Sequence, residues 1–172
     1  MSKKRIASFD VDQTLLDHKT YQIPESALRA VNELRKDFYI VLSTGRDMDN
    51  YYSKQYRDVI QPDAVIHLNG TKITVGGELI YEHEMDRTLL KEILNYADKA
   101  GYALGVTIGN EDYYLHPEVV EETDRLRWGR SERRFKDPRS LLDQGVRTLA
   151  YIGKEDGAMD MEKRFPQLKF LM

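Results

Sequence analysis

Two carboxylates stand two residues apart, at Asp10 and Asp12, after an apolar run that begins at Ile6. In an extended chain, positions i and i+2 point to one face, so the two charges project together. Like charges that close repel unless a cation sits between them. Hard divalent ions such as Mg2+ suit such a place, because they take oxygen ligands, keep several waters and are completed by substrate phosphate. The location agrees, since ligands of open α/β sheets bind beyond the carboxyl ends of the strands. An Asp-rich turn closed by its own side-chain hydrogen bonds accounts for the same residues. The pair alone leaves both readings open.

Two further stretches bear on the choice. Ser43-Thr44-Gly45-Arg46 follows a second apolar run. A hydroxyl there, with glycine and a helix start behind it, can donate to a phosphate oxygen beside free backbone N–H groups. The same hydroxyl could simply cap that helix. Asn69-Gly70 follows a third apolar run and by itself is an ordinary turn. Three successive strands ending in phosphate-compatible residues are poorly explained as three independent caps and turns.

The elements that must hold these residues are legible from periodicity. Residues 6–11 read as a buried strand. Pro24 and Glu25 open a helix whose apolar positions Ala27, Leu28, Val31, Leu34 and Phe38 recur at helical spacing. Tyr39–Ser43 is a second strand, 47–59 a polar, tyrosine-rich helix, and Ala64–Leu68 a third strand, giving two βαβ units with parallel strands. The pattern then changes. Lys72–Val75 and Glu78–Tyr81 flank Gly76-Gly77 as a hairpin. Residues 86–100 form an amphipathic helix stopped by Gly101. Residues 102–108 and 111–115 flank Gly109-Asn110 as another hairpin, and Pro117 opens a helix to about Trp128. A charged stretch, 129–139, reads as loop with solvated arginines. A strand over 146–152, a helix over 155–165 and the start of a strand over 168–172 follow. The fold class expected is α/β, a parallel Rossmann-like core over residues 1–82, followed by an α+β domain over 83–172.

Composition narrows the function classes. The chain has 172 residues, with 26 basic against 29 acidic side chains and a net charge of −3. That balance gives no electrostatic case for nucleic acid as a ligand. There is no cysteine, which excludes disulfides, thiolate metal sites and cysteine nucleophiles. No apolar run has the length of a membrane span, and the basic start lacks an apolar segment behind it. A soluble cytoplasmic protein with no membrane partner is the expectation.

With these residues in place, the chain resembles the haloacid dehalogenase superfamily of phosphatases, specifically its Cof-type members with a large α/β cap. Asp10-Val11-Asp12-Gln13-Thr14 is similar to the family's first motif, Asp-x-Asp-Gly-Thr; Ser43-Thr44-Gly45-Arg46 to its second; and Asn69-Gly70 to the Asn-Gly after the third core strand. The hairpin and the αββα stretch match the cap in order and size. The resemblance implies that Asp10 attacks phosphorus and becomes a phosphoaspartate. Asp12 protonates the leaving alkoxide and later activates water. It also implies Mg2+, held by the Asp10 carboxylate and the Asp12 main-chain carbonyl. Thr44 would hold the transferring phosphate, and Gly45, Arg46, Asn69 and Gly70 would line the entrance beneath the cap. The substrate implied is a small phosphorylated metabolite such as a sugar phosphate.

Two departures qualify the transfer. Gln13 stands where the motif has glycine, which costs about 1–2 kcal/mol if that position needs a left-handed backbone and little otherwise. The family's third-motif lysine and fourth-motif Gly-Asp come after the cap, and the sequence is expected to stop inside it. Glu155-Asp156-Gly157-Ala158-Met159-Asp160, with Lys136 upstream, has the fourth motif's Asp spacing but not its Gly-Asp. Asp156 and Asp160 equally suit a solvated helix face near its N-terminus. The alternative function is a catalytically silent binding module or inactive fragment. A receiver-type phosphoacceptor fits less well, because Asn69 stands where such a protein needs aspartate. If the chain ends at Met172, the first strand, Ile6–Val11, is expected to expose one apolar edge and to promote self-association or marginal stability, unless the cap folds back to cover it.

Overall fold

The β-branched and aromatic runs do form strands, and the computed structural model describes residues 4–170. The chain divides into two compact units, Met1–His83 and Glu84–Met172. In the first, β1 (Arg5–Phe9), β2 (Phe38–Ser43) and β3 (Ala64–His67) lie parallel, linked by α1 (Glu25–Leu34) and α2 (Lys54–Ile60). β4 (Lys72–Val75) and β5 (Glu78–Glu82) continue the sheet antiparallel, in the order β1-β2-β3-β4-β5. Gly76 and Gly77, with φ of 58° and 85°, supply the turn that joins them.

The register matters for the site. Phe9 pairs with Leu42 and Ser43 with Ile66, so all three parallel strands end at one level. Ile40, Leu42 and Val65 from the strands pack with Val31 of α1, Tyr56 and Ile60 of α2, and Val11, Leu15 and Leu16 of the loop after β1. This apolar layer fixes where the polar strand ends emerge.

In this unit α1 ends at Leu34, so Phe38, read on its apolar face, instead opens β2, and two further elements differ from the sequence reading. The first ladder stops at Phe9, because the chain turns over a buried Val11 whose carbonyl accepts the N–H groups of Thr14, Leu15 and Leu16. The helix read over 47–59 begins only at Lys54. Before it, Asp47 Oδ1 accepts the Asp49 N–H, and Asn50 Oδ1 accepts those of Tyr52 and Ser53. Such local side-chain bonds compete with the helix for its backbone donors.

The second unit is α+β. Its sheet runs β8 (Phe135–Lys136), β7 (Glu111–Tyr114), β6 (Ala103–Ile108), β9 (Ala150–Ile152). α3 (Arg87–Ala100) starts at Asp86, whose carboxylate accepts the Leu89 N–H at 2.9 Å, and ends at Gly101 with φ of 73°. Its Leu90, Ile93, Leu94 and Ala97 face Leu104, Val106 and Tyr113 of the sheet and Met161 and Phe165 around α5 (Glu155–Arg164). α4 (Pro117–Trp128) places Val120 against Ala103 and Tyr114. The strand expected over 168–172 does not form over 168–170, and its last two residues lie outside the described residues. The Leu168 N–H goes to the Phe165 carbonyl and the Phe170 N–H to Glu162, which ties this segment to α5.

The arginines of 129–139 also need correction. Arg133 is not solvated: its side chain is 14% exposed and pairs with Asp112, which is 0% exposed, and with Asp124. Asp112 further accepts from the Thr107 hydroxyl and the Arg134 N–H. A carboxylate buried on a strand requires such partners. Removing the cation would take from two buried carboxylates the guanidinium they share, so Arg133→Leu is expected to destabilise the fold by about 3–5 kcal/mol, measured by chemical denaturation.

Candidate active site at the strand ends

Asp10 is the first residue beyond β1, and Asp12 follows after the buried Val11. The alternation expected of a strand thus persists one turn into the loop. The turn is completed by Gln13 at φ 60°, the left-handed region. The side chain in place of glycine therefore carries a backbone cost of about 1–2 kcal/mol. Strain of this kind is characteristic of functional loops.

Asp12 is the most heavily engaged group of the site. Arg46 grips it in fork geometry, Nε donating to Oδ2 and Nη2 to Oδ1, both at 2.7 Å. His18 Nε2 lies 2.9 Å from the same Oδ1. Hydrogen bonding from Arg46 holds the Asp12 carboxyl below the usual carboxylate range against the opposing effect of burial, with a smaller contribution from His18. The Arg46 guanidinium sits over the Tyr56 ring at 5.6 Å and is held more firmly protonated by Asp12. Asp10, by contrast, is exposed, and among the described residues its carboxylate has no hydrogen-bond or ion-pair partner.

The other two strand ends are zipped to each other. The Thr44 N–H donates to the Ile66 carbonyl, the Asn69 N–H to the Thr44 carbonyl, and the Leu68 N–H to the Arg46 carbonyl. Leu68, Asn69 and Gly70 all adopt positive φ, at 51°, 55° and 95°. Gly45 meets the Asn69 side chain so closely that a Cβ there would lie 3.3 Å from Oδ1. The buried Thr44 accepts the Arg46 N–H at Oγ1, which leaves its hydroxyl hydrogen for another acceptor. Asp12, Thr44, Gly45, Arg46 and Asn69 are thus linked by direct contacts or through one another. Asp10 and Gly70 stand at the ends of the same strands without such contacts.

The donor set at β1 fits a hard divalent cation: an unpartnered exposed carboxylate at Asp10, beside a loop backbone. The Asp12 carboxylate oxygens are taken by Arg46 and His18, so only its main-chain carbonyl could join Asp10. A second group, Asp47, Asp49 and His67, brings its ligand atoms within 4.8 Å of one another. It does not fit a metal. Lys72 Nζ already lies 2.9 Å from Asp47 and 2.6 Å from Asp49. The fully buried His67 accepts the Met48 N–H at Nδ1, which leaves Nε2 to donate to Thr74. Burial raises the Asp47 carboxyl, but hydrogen bonds win and hold it well below the usual range. Because Nδ1 is an acceptor, Lys72 and the Asp49 N–H are the donors responsible.

His18, Tyr56 and this Lys72-centred network escaped sequence reasoning. His18 lies in a polar stretch that reads only as loop, six residues after Asp12, and Lys72 in a hairpin strand 25 residues after Asp47; neither spacing has a periodicity that signals the contact. Asp156 and Asp160 lie on α5 in the second unit, after a strand antiparallel to β6. Asp160 accepts the hydroxyls of Tyr96 and Tyr102. An open cavity of about 550 Å³ flanks the loop after β1, lined by Gln13, Thr14, Asp17, His18 and Ser26 among others. Its lining includes Gln13, next to Asp12 in the chain, and His18, which contacts the Asp12 carboxylate.

The sequence matches the haloacid dehalogenase-like hydrolase family over residues 7–170. No curated protein matches. Among solved structures, a hypothetical protein of Geobacillus kaustophilus HTA426 is similar at 20% identity and a TM-score of 0.81, over 99% of this chain and 66% of that one. The HAD-superfamily phosphatase BT1666 of Bacteroides thetaiotaomicron is similar at 20% identity and a TM-score of 0.77, over 94% and 60%. The subclass IIB sugar phosphatase BT4131 is similar at 21% identity and a TM-score of 0.73, over 95% and 64%. This chain therefore spans less than two thirds of the length of these relatives.

Carboxylates with lowered values give stability that is present above the ordinary carboxylate range and lost as pH falls through the lowered values. Asp12 and Asp47 both belong to this class. The thermal midpoint is expected to stay level from about pH 7 to 5 and to fall below about pH 4. Asp47→Asn, which removes one of these groups, is expected to make that fall shallower in a pH series of melting curves.

Proposed function

This chain belongs to the haloacid dehalogenase-like hydrolases, and from that premise we propose that it is the core and cap part of a Mg2+-dependent phosphomonoester hydrolase of the cytoplasm. The substrate is a small phosphorylated metabolite, of which a sugar phosphate is the class closest to a structural neighbour's description. Glu84–Met172 is read as the cap unit. The observation that carries the reading is the unpartnered Asp10 carboxylate beside an Asp12 whose every carboxylate oxygen is engaged. The first is free to attack, and the second is oriented to handle a proton.

In this reading Asp10 attacks phosphorus in line. An O–P bond forms as the ester O–P bond breaks, giving a phosphoaspartate and the leaving alcohol, whose oxygen takes a proton from Asp12. Asp12 then takes a proton from the water that attacks the phosphoaspartate, releasing phosphate and restoring Asp10. Thr44 donates its hydroxyl to the transferring phosphate, and Gly45, Arg46, Asn69 and Gly70 border its approach. Asp10 and the Asp12 carbonyl would hold Mg2+, which supplies charge neutralisation for an anion attacking an anion. The Arg46 pair keeps Asp12 ionised, so the acid role requires Arg46 to leave it for an incoming phosphate. That same pair favours the second reading, a silent binding module in which Arg46 never lets go.

One substitution separates the two. In the enzyme, Asp10→Asn is expected to abolish Mg2+-dependent hydrolysis of an aryl phosphate, because an amide neither attacks phosphorus nor ligates the cation well. Equal turnover by the Asn variant would falsify the mechanism. A parent chain with no hydrolysis that still binds inorganic phosphate by calorimetry favours the silent module.

Self-association is the remaining part of the proposal. Among the described residues β1 pairs only with β2, and Ile6 on this edge strand is 69% exposed. Ile6–Phe9 carries no charge, proline or bulge to blunt the edge. Sedimentation over a concentration series is expected to show growing mass, suppressed in Ile6→Lys. A monomer whose Ile6–Phe9 amides exchange as slowly as those of Ile40–Leu42 would sink this idea.

A further inference from the structure

We propose that His18 is a positioning residue for Asp12: it holds Oδ1 through Nε2, so that Oδ2, once released by Arg46, is the oxygen that exchanges the proton. The inference rests on the hydrolase reading given above. Three donors converge on the Asp12 carboxylate, and two of them come from Arg46. When Arg46 turns to an incoming phosphate, the one side-chain contact left among the described residues to orient the carboxyl plane is His18 at 2.9 Å. A carboxyl with both oxygens free rotates about its last bond and presents either oxygen. One held at Oδ1 presents Oδ2 alone.

The loop that carries His18 is built to put it there. The Asp17 N–H donates to the Gln22 carbonyl, and the Tyr21 N–H returns to the Asp17 carbonyl at 2.7 Å. Asp17 Oδ1 and Oδ2 accept from the Lys19 N–H and the Thr20 hydroxyl. Tyr21 closes the loop at φ 52°, a strained choice for a bulky side chain, and its ring lies nearly parallel to that of His18, 6.2 Å away. The Tyr56 hydroxyl donates to the Tyr21 carbonyl while the Tyr56 ring lies beneath Arg46. One buried tyrosine therefore braces both arms that reach Asp12. Stability does not account for this arrangement. His18 is 42% exposed, and pairs so open to solvent contribute little to folding. Its contact is with the proton-handling group all the same.

The test compares the parent, His18→Ala and His18→Gln in this chain, with an aryl phosphate and Mg2+. The glutamine amide nitrogen reaches the place of Nε2. His18→Ala is expected to lower kcat by about 10- to 100-fold with KM within about twofold, to leave the melting temperature unchanged, and to be largely rescued in His18→Gln. Ring-nitrogen NMR supplies a readout independent of turnover: the His18 signals are expected to shift in Asp12→Asn. An active parent with unchanged kcat in His18→Ala, a loss that appears in KM alone, or a loss that tracks a lowered melting temperature overturns the inference and leaves the hydrolase reading standing. Unmoved His18 signals in Asp12→Asn overturn it too. A parent with no Mg2+-dependent hydrolysis overturns the hydrolase reading, and this inference with it.

Discussion

The bidentate pair between Asp12 and Arg46 is the interaction on which the arrangement of the site depends. It joins the loop after β1 to the loop after β2 across 34 positions of sequence. Planar guanidinium and planar carboxylate meet in fixed fork geometry, so the pair sets orientation as well as distance. It also divides the two aspartates by role. With Asp12 engaged at both oxygens, Asp10 is left as the one exposed carboxylate without a partner at the end of the first strand. Two identical side chains two residues apart thus acquire different chemistry from their surroundings.

The pair needs a rigid seat, and the β2 and β3 loops provide one at some cost. Three successive backbone hydrogen bonds zip Thr44–Arg46 to Ile66–Asn69. The zip requires Leu68 and Asn69 to adopt left-handed backbone, which asparagine tolerates and leucine does not favour. Beneath it, Asp47, Lys72 and His67 anchor the chain that follows Arg46, His67 by accepting the Met48 N–H. An ammonium here fills the space that the same carboxylates could have offered a metal. The acidic residues next to Arg46 therefore stabilise the loop rather than extend the cation site.

In the second unit a related arrangement has another purpose. Asp112 and Asp124 share Arg133 within a packed interior, with the Tyr114 ring 5.4 Å from the guanidinium. No strand-end geometry is involved: Thr107 on β6, Asp112 on β7, Asp124 on α4 and Arg133 in the segment leading into β8 meet here. Buried ion pairs of this kind specify which segments meet more than they add to stability. Here the pair fixes a stretch of chain that has almost no apolar pattern of its own.

In the first unit, sequence alone determined the strands, the parallel run of β1 to β3 and the residues at their ends, because those follow from apolar periodicity and from turn chemistry acting over a few residues. Asp10, Asp12, Thr44, Arg46 and Asn69 were legible as candidates for that reason. Periodicity could not show that Asp12 would be clamped, that Gln13 would sit in the left-handed region, or that 47–53 would turn instead of coil. It could not show that Arg133 would be buried, nor that His18 would reach Asp12 and the Tyr56 ring would lie beneath Arg46. Most of these depend on a partner from another element, as with Asp12 and Arg46 34 positions apart, or on local hydrogen bonds that compete with the helix. The His18–Asp12 contact spans only six positions, but it crosses an irregular loop that carries no periodicity to read. Only the tertiary structure decides such contacts, because a polar side chain takes its role from whichever donor or acceptor folding brings to it.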